Sequence, residues 1–134
     1  MKTLGTTALA TIALATICIQ TGCSFAARSP ESYRDDTRAA LEAKSGAIQS
    51  CYDGVLTTTP GAAGRVTVNF EVETEHGRVV NVAVDPANTT APPLVAQCVT
   101  QHIEGVAIHP PDQRTGVGTW VYEFTPPAAA STDA

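Results

Sequence analysis

Hydrophobic and polar positions alternate most regularly between Gly64 and Val84. Val66, Val68, Phe70 and Val72 alternate with Arg65, Thr67, Asn69 and Glu71, the period of two expected of a strand with one buried and one wet face. Glu75-His76-Gly77 supplies a short turn whose glycine can take positive φ, and Val80, Val82 and Val84 restore the alternation in a second arm. A third strand is predicted over Val117 to Thr125, with Trp120, Tyr122 and Phe124 on one face and Thr119, Val121 and Glu123 on the other.

The helical period governs two other stretches. From about Glu31 to Asp53, residues Tyr33, Thr37, Ala40, Leu41, Ala47, Ile48 and Cys51 fall near one face, with Ser29 or Ser32 as cap. Gly46 weakens the middle of this helix by up to about 1 kcal/mol, and its best-determined part is Ala47 to Leu56. The second helix follows Pro92-Pro93, buries Leu94, Val95, Cys98, Val99, His102 and Ile103, and ends at Gly105. Between them lie a Thr- and Gly-rich loop over Thr57 to Ala63 and a turn-rich connection over Asp85 to Pro93. Val106 to Pro111 reads as extended and Asp112 to Gly116 as a polar loop, while Pro126 onward is an Ala-rich tail. The order is helix, strand, strand, helix, strand, an α+β domain in which two helices cover one face of a three-stranded sheet.

The N-terminus changes the compartment. Lys2 precedes an uncharged apolar run from about Ala8 to Ile19, the pattern of a signal peptide over residues 1 to 22. The run is shorter than the roughly 20 residues of a membrane-spanning helix. Thr21-Gly22-Cys23 resembles the bacterial lipobox, although Gln20 stands where leucine is usual, and the resemblance implies cleavage before Cys23 and lipidation of its thiol. The rival site is an ordinary cut after Ala26. Ser24 after the lipidated cysteine matches the sorting rule for lipoproteins that are not retained in the inner membrane, which points to an outer-membrane anchor facing the periplasm. Ser24 to Pro30 is then a short tether.

Removing residues 1 to 22 from a chain of 134 leaves 112, enough for one small domain. The chain carries a formal charge of −5, and loss of Lys2 leaves seven Lys and Arg against thirteen Asp and Glu, with no basic cluster. Nucleic acid is therefore an unsuitable partner, as is electrostatic adhesion to anionic lipid. Of the four cysteines, Cys18 leaves with the signal and Cys23 is the lipidation candidate. Cys51 and Cys98 remain, and in an oxidising compartment two cysteines read as one disulfide, here between the two helices. Closing that loop is worth roughly 4 kcal/mol in the chain-entropy model. The alternative is two buried thiols; a metal pair is disfavoured because neither cysteine has a second ligand at metal-site spacing.

No reaction chemistry is specified. His76, His102 and His109 match no zinc or nucleophile motif, and packed or solvated roles suit each. Glu71, Glu73 and Glu75 form a row that reads as a solubilising outer face before it reads as a cation site. There is no phosphate loop, Ser-His-Asp context or paired-carboxylate motif, so the expectation is a protein that is not an enzyme and has no cofactor, metal or catalytic residue.

Five segments together resemble a known family. Ile48-Gln-Ser-Cys51-Tyr52, Gly64-Arg-Val-Thr-Val-Asn-Phe70, Gly77-Arg-Val79, Cys98-Val99 and Val121-Tyr-Glu-Phe-Thr-Pro126 are similar to the TonB C-terminal-like domain, in its AgmX/PglI-type branch, over about Ala47 to Pro126. The resemblance implies an αββαβ fold with antiparallel sheet order 2-1-3, a bonded Cys51–Cys98 pair, and a last strand that forms an exposed edge. TonB-type transducers also keep an uncleaved membrane helix and a Pro-rich spacer, which this chain lacks, so the resemblance does not extend to energy transduction. The expected activity is binding: an envelope protein or extended peptide segment pairs with the edge formed by Thr119, Trp120, Val121, Tyr122 and Glu123. The competing expectation is a structural component that pairs with itself there, as a homodimer.

Overall fold

A computed structural model describes residues 28–128. The expected signal peptide, Cys23, the cut after Ala26 and the end of the tail lie outside the described residues. Six elements follow in order: helices α1 (Pro30–Glu42) and α2 (Ser45–Thr58), strands β1 (Gly64–Val72) and β2 (Val79–Val84), helix α3 (Pro93–Ile103) and strand β3 (Gly116–Phe124). The sheet is antiparallel, in the order β2-β1-β3. The α+β class and this strand order are as expected. Among the described residues no helix is long and apolar enough to cross a membrane.

β1 is the centre of the fold because both of its edges are paired and one of its faces is wholly buried. Val66, Val68, Phe70 and Val72 are at most 3% exposed, and they meet Ile48, Tyr52, Val95, Val99 and Ile103 from the helices in one core. Cys51 of α2 and Cys98 of α3 are joined, with their Cα atoms 5.6 Å apart. Tyr52, one residue further on, buries its ring 4.8 Å from that of Phe124 and donates its hydroxyl to the Ala62 carbonyl at 2.6 Å. On the opposite face Thr67 is also buried. Its N–H donates to Thr89 and its hydroxyl to the Asn88 carbonyl, so the β2–α3 connection folds over it.

Three expectations are corrected. The first helix is two helices, broken at Ala43 and Lys44 and not at Gly46. Ser29 caps α1 by accepting the Ser32 N–H, with Pro30 opening the helix, whereas Lys44 gives α2 no side-chain cap. The two helices answer to different surfaces: α2 is bonded to α3, while α1 turns away and follows β3. In β2, Val80 does not share a face with Val82 and Val84. Val79 is fully buried instead; the register jumps between Asn69↔Ala83 and Glu71↔Val80, and Asn81 takes φ 54°, so a bulge reverses the alternation. In α3 the buried stripe is Val95, Ala96, Cys98, Val99 and Ile103, with Leu94 half exposed and His102 only partly buried.

Candidate functional site: the outer edge of the last strand

The two outer strands of the sheet end differently. Beyond β2, the segment after α3 covers the start of the edge: Val79 N–H donates to Val106 O, Gly105 N–H to Val79 O and Ile108 N–H to Gly77 O, each at 2.8 Å, and Val82 N–H reaches the Glu104 carboxylate at 3.3 Å. Gly77, at φ 67°, lies so close to the Ile108 carbonyl that a Cβ there would collide with it. Beyond β3 there is no such cover. Its residues pair with β1 from Gly64↔Phe124 to Val72↔Gly116. Among the described residues no other backbone group and no side chain bonds to the main chain of β3.

The residues expected to form this edge divide between two faces. Thr119, Val121 and Glu123 stand on the open face. The Thr119 hydroxyl donates to Asn69 Oδ1 at 2.7 Å, and Glu123 accepts from Arg65 Nε at 2.6 Å. Val121 is 48% exposed and Val117 84%. Trp120 and Tyr122 lie half-buried on the helix face with their rings 6.4 Å apart. The Tyr122 hydroxyl is buried with no partner; burial first, and the Glu42 carboxylate second, push its pKa up to about 12. Trp120 and Tyr122 are therefore core-facing supports of the strand, and the side chains open to a partner are those of Val117, Thr119, Val121 and Glu123.

Sequence reasoning missed the helix-side flank of this edge. Gly116 and Gly118 continue the inner face of β3 beyond Trp120, and each is covered by an aromatic ring. A Cβ at Gly116 would lie 2.5 Å from the Tyr33 ring, and one at Gly118 2.5 Å from Phe70. The close approach of the rings requires glycine at both positions. α1 runs alongside β3 in the same direction: its N-terminal end meets Asp112 and Arg114, Tyr33 meets Gly116, and Glu42 lies near Tyr122. Between helix and strand is a groove of about 600 Å³ lined by Tyr33, Arg34, Thr37, Arg38, Phe70 and Trp120, among others. The Gly-x-Gly opening of the strand and the i, i+4 pair Arg34 and Arg38 were visible in the sequence. Their meeting was not, because it depends on the break at Ala43 and Lys44.

Arg28, expected to belong to the tether, pins this arrangement. Its N–H donates to the buried Asp112 carboxylate at 3.1 Å, its guanidinium pairs with Asp36 and lies 5.0 Å from the centre of the Tyr33 ring. Asp112 also accepts the Arg114 N–H at 2.9 Å. The Arg114 N–H, opposed by burial and helped by the Arg114 guanidinium and the Arg28 N–H, holds this carboxyl below the usual range.

The other candidate chemistry resolves into structure. Glu73 lies in the turn beyond β1, so the expected row of glutamates is broken, and its carboxylate accepts the N–H groups of Glu75, His76 and Arg78. Glu73, Glu75 and His76 come within 4.8 Å of one another, but Glu73 is already engaged in closing the hairpin turn. His102 Nδ1 donates to the Cys98 carbonyl at 2.7 Å, within α3, and His109 is exposed in the following loop. In comparisons with known proteins, no family model, curated protein or solved structure matches the chain.

Proposed function

We propose that this chain is a non-enzymatic cell-envelope lipoprotein of the TonB C-terminal-like type, whose last strand docks an extended segment of another envelope protein. The observation that carries the reading is the asymmetry of the sheet: the start of the β2 edge is covered by Gly105–Ile108, while β3 keeps its outward main-chain groups without a partner along its whole length among the described residues. An extended segment laid along β3 gains main-chain hydrogen bonds, and its alternate side chains meet Val117, Thr119, Val121 and Glu123. The cysteine bond supports placement in an oxidising compartment, and lipidation at Cys23 would hold the domain near the periplasmic face of the outer membrane.

The same edge supports a second reading, self-association. Val117 and Val121 are exposed apolar residues, and β3 contains no lysine or proline to discourage pairing with another copy. In-cell photo-crosslinking with the probe at Thr119, Val121 or Glu123 tests both. A single dominant envelope protein in the adducts is the expected result. Adducts only with a second copy would establish the structural reading, and no adduct from any of the three positions would overturn the use of this edge.

A further inference from the structure

We infer that the segment docked on β3 is acidic, with carboxylates at alternate positions received by the arginines of the α1–β3 groove; this rests on the edge-pairing reading above. The chain is acidic overall, with eight Lys and Arg against thirteen Asp and Glu. Yet Arg34 and Arg38 both line the groove between α1 and β3, and among the described residues neither makes an ion pair. A third guanidinium, that of Arg114, lines the same groove. The one carboxylate in the lining, Asp112, is buried and saturated, accepting the Arg28 and Arg114 N–H groups and Arg114 Nε. Of the acidic residues on α1, Asp36 is paired with Arg28, and Glu31, Asp35 and Glu42 do not line the groove. Its net charge is therefore positive on a molecule that is otherwise negative.

Spacing supports the same occupant. Arg34 and Arg38 are one turn apart on a helix that runs alongside β3, which separates their origins by about 6 Å along its axis. Alternate side chains of an extended strand recur every 6.6 to 6.8 Å or so. A strand paired with β3 therefore brings carboxylates at i and i+2 opposite successive arginines on the helix face. Gly116 and Gly118 add no side chains of their own and are covered by the Tyr33 and Phe70 rings, so acidic side chains would enter the open groove beside those rings.

The test titrates fluorescein-labelled extended peptides, alternating Val with Asp, Asn or Lys, into the protein as processed and exported by its host. Fluorescence anisotropy reads affinity and hydrogen exchange reads protection of the β3 amides. The Asp peptide is expected to bind about tenfold more tightly than the Asn peptide at low salt, as two or three exposed ion pairs allow, with the advantage lost near about 0.5 M salt. Arg34→Glu with Arg38→Glu should reverse the preference in favour of the Lys peptide, and Arg34→Lys with Arg38→Lys should keep the preference for the Asp peptide. Equal binding of Asp and Asn peptides with protected β3 amides would overturn the acidic preference and leave edge pairing standing. Binding of the Asp peptide without protection of β3, or no binding of any peptide by a protein that dimerises with concentration, would overturn edge pairing with a foreign segment as well.

Discussion

Tyr52 is the residue on which the corner of the core turns. Its ring packs on Phe124 and its hydroxyl reaches the Ala62 carbonyl in the loop before β1, both in a buried setting. Burial, with the Asp53 charge second, raises its pKa, so it is a neutral donor throughout the neutral range. Tyr52→Phe keeps the ring and leaves that carbonyl unsatisfied, and chemical denaturation should show a loss of about 1 to 3 kcal/mol. A loss near zero would mean that water reaches the loop. Asn81 illustrates a residue whose role was hidden: an asparagine in an alternating strand reads as a wet-face residue. It takes positive φ, which asparagine tolerates better than most, and its side-chain amide donates to Glu71 at 3.0 Å. Nothing local in Val79-Val-Asn-Val marks which valine faces inward, because a bulge is a compromise between the core and the pairing register.

At the scale of elements, strong alternation was enough for β1 and β3, and helical spacing was enough for the centre of the α3 stripe, though Leu94 and His102 were expected inside and Ala96 was not. The helix before β1 was legible as helix but not as two. Tyr33, Leu41 and Ile48 fit one continuous apolar face about as well as two shorter ones, and the bend at Ala43 and Lys44 is decided by separate anchors. α2 is held by the disulfide to α3, and α1 by Tyr33 on Gly116 and Arg28 on Asp112. The disulfide closes a loop spanning 47 positions that contains the whole β1–β2 hairpin. Replacing Cys51 and Cys98 together by Ala should lower the melting temperature by more than about 10 °C under non-reducing conditions, from a chain-entropy contribution of roughly 4 kcal/mol. An unchanged melting temperature would show that helix packing alone fixes the pair.

For the whole molecule, three carboxylates sit at structural corners. The Arg78 N–H is the main influence on Glu73 in the hairpin turn, the Asn88 amide on Asp85 after β2, and the Arg114 N–H on Asp112 at the foot of α1; each carboxyl is held below its ordinary pKa. A carboxyl depressed in the folded state contributes stability above its unfolded pKa, and that contribution is lost as pH falls through the folded value. Thermal stability should thus be level from neutral pH to about 5 and fall below about 4. The ties of Arg28 to Asp112 should loosen as that carboxyl protonates, which hydrogen exchange at the Arg28 and Arg114 amides would register. Stability rising towards acid would contradict these assignments.

The sequence by itself determined the strand-forming pattern, the helical segments, the cysteine pair and the residues of the last strand, since each rests on a local period or on composition. Only the tertiary structure decided which sheet edge is covered, where the first helix bends, how β2 reverses its faces, and that Arg34 and Arg38 stand beside Gly116 and Gly118. The physical reason is that hydrophobic periodicity specifies which side of an element is buried but not what it is buried against. That choice belongs to contacts between segments distant in the chain, here Arg28 with Asp112 and Tyr33 with Gly116.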